Sequence, residues 1–199
     1  MKNGSARTIK CGVRVLGIAS GVIKMSGGRH AHGKRCLLVG VVRRQIVIEG
    51  ILSTSVAIDG GDATSQIIKL ARDTRFRDQI KLIALNGIAI AGLNIIDINE
   101  LEKRLGVQTI MITRSRPHKS KLMEAVRKGI REKAQLLEKE SLISEVNSRI
   151  AIRKQGGLYI QAREGSQFPD SIISEAFETL RIAHLIARGI STGESKGRI

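Results

Sequence analysis

Aromatic residues are almost missing from this chain: Phe76, Phe168, Phe177 and Tyr159 are the whole set, without a tryptophan. That scarcity excludes the modules that hold single-stranded nucleic acid by stacking bases on aromatic platforms. Cysteine is nearly absent too. Cys11 and Cys36 each lie in an apolar, strand-like run and read as two buried thiols in a reduced compartment, with no zinc spacing. No apolar run is long enough to matter for a membrane. The longest, Leu82–Ile98, is broken by Gly87, Gly92, Asn86, Asn94 and Asp97 and cannot span a bilayer as a helix. Met1–Lys10 is polar, so no signal peptide is expected, and a soluble cytoplasmic protein is.

The scarcest groups of all are carboxylates near the N-terminus. Between Met1 and Ile58 the chain carries ten Lys/Arg side chains against Glu49 alone. A surface of that kind attracts polyanions and has little with which to hold a divalent metal. The whole chain has 199 residues, 42% of them hydrophobic, and a net charge of +16. That length and apolar content suit one packed domain over 1–199, with a helical segment at 169–199. The charge is uneven. Residues 51–100 hold five basic and six acidic side chains, so the excess sits at the N-terminus and around Arg114–Lys139. Patchy basicity of this sort points first to nucleic acid.

Three strands open the chain. Cys11–Ala19, Lys34–Val42 and Ile46–Ile58 are rich in β-branched residues, with Arg43-Arg44-Gln45 as a tight connection. A loop, Ser20–Gly33, separates the first two. The period then changes: Thr64–Arg72 reads as a helix with Asp62 or Thr64 as its cap, and Lys81–Leu85 as a strand ending at Asn86-Gly87. Asp97–Leu105 is a short helix closed by Gly106, and Val107–Thr113 a buried strand. Ser120–Glu140 is a long helix with Leu122, Val126, Ile130 and Leu137 on one face. A weak strand pair at Ile150–Arg153 and Leu158–Ala162 forms a smaller appendage, and Pro169–Arg188 is helical. A three-stranded meander followed by α-β crossovers predicts an α/β fold of ribonuclease H-like order: a mixed sheet with helices on both faces.

Four constellations carry possible chemistry. Asp59-Gly60-Gly61-Asp62 lies where the third strand meets the first helix, so its carboxylates are placed either to share a magnesium ion or to stabilise a turn and cap a helix. Leu85-Asn86-Gly87 through Asn94 and Asp97 joins a strand end to a helix N-terminus, where open α/β sheets bind ligands. Thr113-Arg114-Ser115-Arg116-Pro117-His118-Lys119 leaves a strand end with cations and hydroxyls suited to phosphate. Lys34 and Arg35 belong to the same basic surface. His184 lies on an apolar helical stripe with Ile173, Phe177 and Leu180 and reads as a hydrogen-bonded core residue. His30 and His32, in a basic glycine loop without an acid, are not read as a metal site.

The C-terminal run Leu180-Arg181-Ile182-Ala183-His184-Leu185-Ile186-Ala187-Arg188-Gly189, closing with Gly193-Glu194-Ser195-Lys196-Gly197-Arg198, resembles the archaeal endonuclease dU family. That family is regarded as a distant relative of endonuclease V. The resemblance continues through Leu16-Gly17-Ile18, Val39-Gly40-Val41, Asp59-Gly60, Asp62-Ala63-Thr64, Gly87-Ile88, Ala91-Gly92, Asn94, Asp97, Thr113-Arg114 and Pro117. It implies a ribonuclease H-like fold and cleavage of DNA, dependent on Mg²⁺ or Mn²⁺, at deaminated sites such as deoxyuridine.

The chain departs from that family's pattern at the expected acids. Two consecutive aspartates are implied where Ala19 and Ser20 stand, and an aspartate where Asn86 stands. Two readings follow. One is an endonuclease whose catalytic residues are Asp59, Asp62 and Asn86, with Asp59 and Asp62 on the metal. The other is a non-cleaving paralogue that binds nucleic acid, DNA or RNA, through Lys34, Arg35, Arg114, Arg116 and Lys119, or binds a partner protein.

Overall fold

The computed structural model describes residues 12–23 and 34–195. Cys11, His30, His32, the cations Arg7, Lys10, Lys24 and Arg29, and residues 196–199 lie outside the described residues.

Strands β1 (Arg14–Ser20), β2 (Arg35–Arg44) and β3 (Val47–Ala57) form the expected antiparallel meander. Its second connection is Gln45-Ile46 rather than Arg43-Arg44-Gln45, because the β2–β3 register shifts at Val42/Arg43 and pairs Arg44 with Val47. Gln45 takes a left-handed φ of +54°, and its N–H donates to the Glu175 carboxylate.

Helix α1 (Ala63–Arg72) leads into β4 (Ile80–Leu85). A short hairpin follows, β5 (Ala89–Ile90) and β6 (Asn94–Ile95), then α2 (Ile98–Leu105) and β7 (Gln108–Thr113). α2 ends as its sequence requires. Asp97 accepts the Glu100 N–H at 2.9 Å, and Gly106 closes the helix at φ +68°.

The predicted helix over 120–140 is two helices, α3 (Lys119–Gly129) and α4 (Lys133–Ser148). The chain breaks at Ile130, which is extended (φ −97°, ψ 122°) and buried. A Cβ on Gly129 would lie 2.5 Å from Leu93 Cδ1, so the end of α3 sits tightly on the β5–β6 hairpin. The break resets the helical phase: Leu137 is exposed, while Lys139, Ile143 and Val146 face inward.

Strands β8 (Ile150–Gln155) and β9 (Leu158–Arg163) are not an appendage. β9 pairs antiparallel with β7, giving one seven-stranded sheet in the order β3-β2-β1-β4-β7-β9-β8. Helix α5 (Asp170–Thr192) completes the fold.

Strands buried on both faces read as unbroken apolar runs, and alternate residues divide between two cores. Leu16, Ile18, Ile83 and Leu85 face α1 and α2 together with Val126, Ile143 and Val146. Val15, Leu82, Ala84 and Ile110 face α5. α5 lies very close to β1. A Cβ on Gly17 would come within 2.8 Å of the Thr179 and Leu180 backbone, and Ala183 and Ala187 are fully buried.

Candidate nucleic-acid interface

Strands β1, β4 and β7 are parallel, so all three end on one edge of the sheet. β2 begins at that edge and β3 ends there, because each is antiparallel to its neighbour. Ser20, Asn86, Arg114, Lys34, Arg35 and the Asp59–Asp62 turn therefore share it. This is where open α/β sheets hold ligands.

Between the ends of β1 and β4 is a cavity of about 200 Å³ whose polar wall is Ser20, Asn86 and His184, with Ala19, Leu85 and Ile90 among its apolar lining. The side chains of Ser20, Asn86 and His184 have no hydrogen-bond partner among the described residues. Three unengaged polar groups thus converge on one small, carboxylate-free space. His184 is half-buried. Burial, and after it the Arg188 charge, holds the imidazole below its ordinary pKa, so the neutral form dominates near pH 7. The sequence reading placed His184 in the core with a hydrogen bond. The structure puts it on the cavity wall without one, because Ala183 and Ala187 on the same helix let β1 approach closely.

The Asp59–Asp62 turn is built differently, with nearly every polar atom engaged. Asp59 has a left-handed φ of +56°; its N–H donates to Ala91 O at 3.0 Å and its Oδ1 accepts the Leu93 N–H at 2.7 Å. A Cβ on Gly92 would lie 2.2 Å from that oxygen, so only glycine fits there. Asp62 stands at the N-cap position of α1 but does not cap it. Its Oδ1 accepts from Ala57 N–H (3.0 Å) and Asn94 Nδ2 (2.8 Å), and its Oδ2 from Arg35 (3.1 Å). Burial alone would raise the Asp62 pKa, but the Ala57 N–H, Asn94 and Arg35 outweigh it and hold the carboxyl below its usual range.

Asn94, fully buried, supplies the cap: its Oδ1 accepts the Ala63 N–H at 3.0 Å, and its Nδ2 also donates to Ala57 O at 2.9 Å. Lys139 reaches in from α4 to donate to Gly60 O and, at 2.6 Å, to Leu93 O. Burial depresses the Lys139 pKa, partly offset by Asp59 and Glu138. Nothing in the charged sequence of α4 marks Lys139 as an inward residue. Only the phase reset after Ile130 does so.

Of the expected phosphate contacts, Lys34, Arg114, Arg116 and Lys119 are exposed at the sheet edge. Arg114 lies 5.8 Å from the centre of the Phe177 ring. Arg35 is committed: besides Asp62 it donates to Ser55 Oγ at 2.7 Å and to Ser55 O.

The donor set of the cavity does not fit a pair of divalent ions. Ala19 offers no side-chain ligand, Ser20 and Asn86 offer neutral oxygens, and His184 one nitrogen. Two dications need several carboxylates for charge balance. Among the described residues no group of three or more His, Cys, Asp or Glu is placed to hold a metal ion.

A three-stranded meander running into parallel crossovers, with strand order β3-β2-β1-β4-β7 and helices on both faces, is the ribonuclease H-like fold. Within that class the chain belongs to the endonuclease dU family, whose sequence pattern matches residues 11–191. It is 31% identical to a UPF0215 protein of Methanothermobacter thermautotrophicus, over 99% of this chain and 97% of that one. It is 32% identical to a UPF0215 protein of Methanosarcina acetivorans, over 96% of each chain. A solved structure of a protein of unknown function from Archaeoglobus fulgidus superposes with a TM-score of 0.71 at 27% identity, covering 91% of this chain and 99% of that one.

Proposed function

We propose that this chain binds nucleic acid along the C-terminal edge of its sheet and does not cut it through a two-metal centre. The observation that carries this reading is the neutral cavity at the ends of β1 and β4, where Ala19, Ser20 and Asn86 stand in place of the acids the family resemblance implies. On the same side of the sheet, Lys34, Arg114, Arg116 and Lys119 are solvated and placed to meet phosphates, with Arg114 beside the Phe177 ring. DNA is the expected partner in the cytoplasm, with RNA the alternative polyanion.

A second reading keeps the activity the resemblance implies: a Mg²⁺- or Mn²⁺-dependent endonuclease acting at deaminated bases such as deoxyuridine, through Asp59, Asp62 and Asn86. The position of both aspartates on the same sheet edge as Asn86 favours it. A metal on Asp62 would compete with the Ala57 N–H, Asn94 and Arg35 for oxygens already bonded.

Uracil-containing duplex DNA, incubated with the protein and Mg²⁺ or Mn²⁺, separates the two. The first reading expects binding without nicking, and a gain of metal-dependent nicking on combining Ala19→Asp, Ser20→Asp and Asn86→Asp. Nicking by the unaltered chain that is lost in Asp59→Ala, Asp62→Ala would overturn it in favour of the second.

A further inference from the structure

The two outermost strands of the sheet, which form its lateral edges, are built very differently. β8 forms one edge. It is six residues long and carries the exposed cations Arg153 and Lys154. Short, charged edge strands keep other chains from pairing. β3 forms the other edge, and its one interruption is a bulge at Glu49, where the pairing passes from Val42–Gly50 to Arg43–Ile48. It runs for eleven residues, Val47–Ala57, without a Lys, Arg or Pro. Its one charge, Glu49, is held between Arg14 of β1 at 2.6 Å and Arg44 of β2 at 3.0 Å.

Large apolar side chains line this edge in the open. Val47 is 53% exposed, Ile48 45% and Ile51 57%, and Ile46 at the hairpin tip is 87% exposed. The end of β3 is closed, because the Arg35 guanidinium covers Ser55 O. The open stretch is therefore 47–53. On one face Gly50 meets Phe76 and Thr54 bonds Gln66 of α1. Ile51 points to the opposite face, beside Val41, where α5 packs on β1, β2 and β4. There Leu37, Ile182 and Ile186 are only partly buried against Val39 and Val41, so Ile51 continues an unfinished apolar layer.

We propose that β3 is a self-association edge: two copies of this chain pair their β3 strands antiparallel about a two-fold axis, joining their sheets. Charge decides the occupant. Each chain carries +16, so two copies repel everywhere except where free charge is missing. The β3 edge comes nearest to such a place, because β3 has no cation of its own and the two guanidiniums beside it are tied to Glu49, and a second copy brings the same apolar strand to it. An isologous contact of this kind is self-complementary and closes. A polyanion gains nothing from a strand without a cation. Seven open residues at about 3.4 Å each make a strip ~24 Å long, and two layers of ~10 Å make it ~20 Å wide. About 500 Å² per copy lies at the low end for specific interfaces, so micromolar rather than nanomolar self-affinity follows.

Sedimentation equilibrium of the nuclease-treated full chain, from roughly 1 to 100 µM, tests this. The expected result is a reversible monomer–dimer equilibrium that Val47→Lys combined with Ile51→Lys abolishes. Both side chains are exposed, so the variant keeps the circular dichroism and melting behaviour of the parent. A parent that is monomeric throughout, or a dimer that survives the double change, would overturn the proposal. So would association seen only before nuclease treatment, which would assign the contact to bound nucleic acid.

Discussion

Asn94→Ala is the sharpest test of how the Asp59–Asp62 turn is used. Asn94 is fully buried and makes three hydrogen bonds, to the Ala63 N–H, Ala57 O and Asp62 Oδ1. Removing it leaves the buried Ala63 N–H without its partner, at about 1–3 kcal/mol, and takes one donor each from Asp62 Oδ1 and from Ala57 O, which keeps the Gly60 N–H at 3.3 Å, at about 1 kcal/mol each. Part of that is recovered if water enters the space. The expected loss is about 3–5 kcal/mol, a large share of the ~5–15 kcal/mol that holds a domain together. For a chain of this size that lowers Tm by roughly 6–20 °C. Urea denaturation should show the midpoint falling with an unchanged slope. A loss below about 1 kcal/mol, with nucleic-acid affinity falling instead, would refute the assignment of this cluster to fold maintenance.

The cavity residues should behave in the opposite way. Asn86→Ala removes an exposed side chain without a partner among the described residues, so stability should move by no more than about 0.5 kcal/mol while affinity for DNA falls in a filter-binding or anisotropy assay. Four solvated cations at the edge predict a slope of log affinity against log salt of about −3.5, halved by combining Arg114→Ala and Arg116→Ala; a flat slope contradicts phosphate binding. His184 has a folded pKa below its unfolded one. Its contribution is thus present above the unfolded value of ~6.5 and lost as pH falls from there through the folded value. His184→Gln should flatten the pH dependence of stability in that window, and an unchanged profile would contradict the burial of the neutral imidazole.

Much of this molecule is legible in its sequence, for identifiable reasons. The buried strands announce themselves as unbroken Val, Ile and Leu runs, and α2 carries both of its signals, Asp97 and Gly106, in the right places. What escapes is decided by tertiary contact. The break after Gly129 comes from packing on Leu93, which no periodicity records. The pairing of β9 with β7 is a long-range choice made by the sheet, and a weak two-strand signal does not contain it. Asp62 sits where a cap is expected but reaches back to Ala57, and Asn94, 31 residues away from Ala63, does the capping. His184 is apolar in its helical setting and polar in its spatial one. The replaced acids at Ala19, Ser20 and Asn86 were visible from the family resemblance. That they line one cavity with His184 was not.

Single-strand nicking of uracil-containing duplex DNA in Mn²⁺, on protein shown in the same buffer to bind that DNA, decides whether the carboxylate-free cavity cuts what the chain binds. The expected result is bound, intact DNA, with nicking gained only when Ala19, Ser20 and Asn86 are all changed to aspartate. Nicking by the unaltered chain that requires the metal and disappears in Asp59→Ala, Asp62→Ala would contradict it.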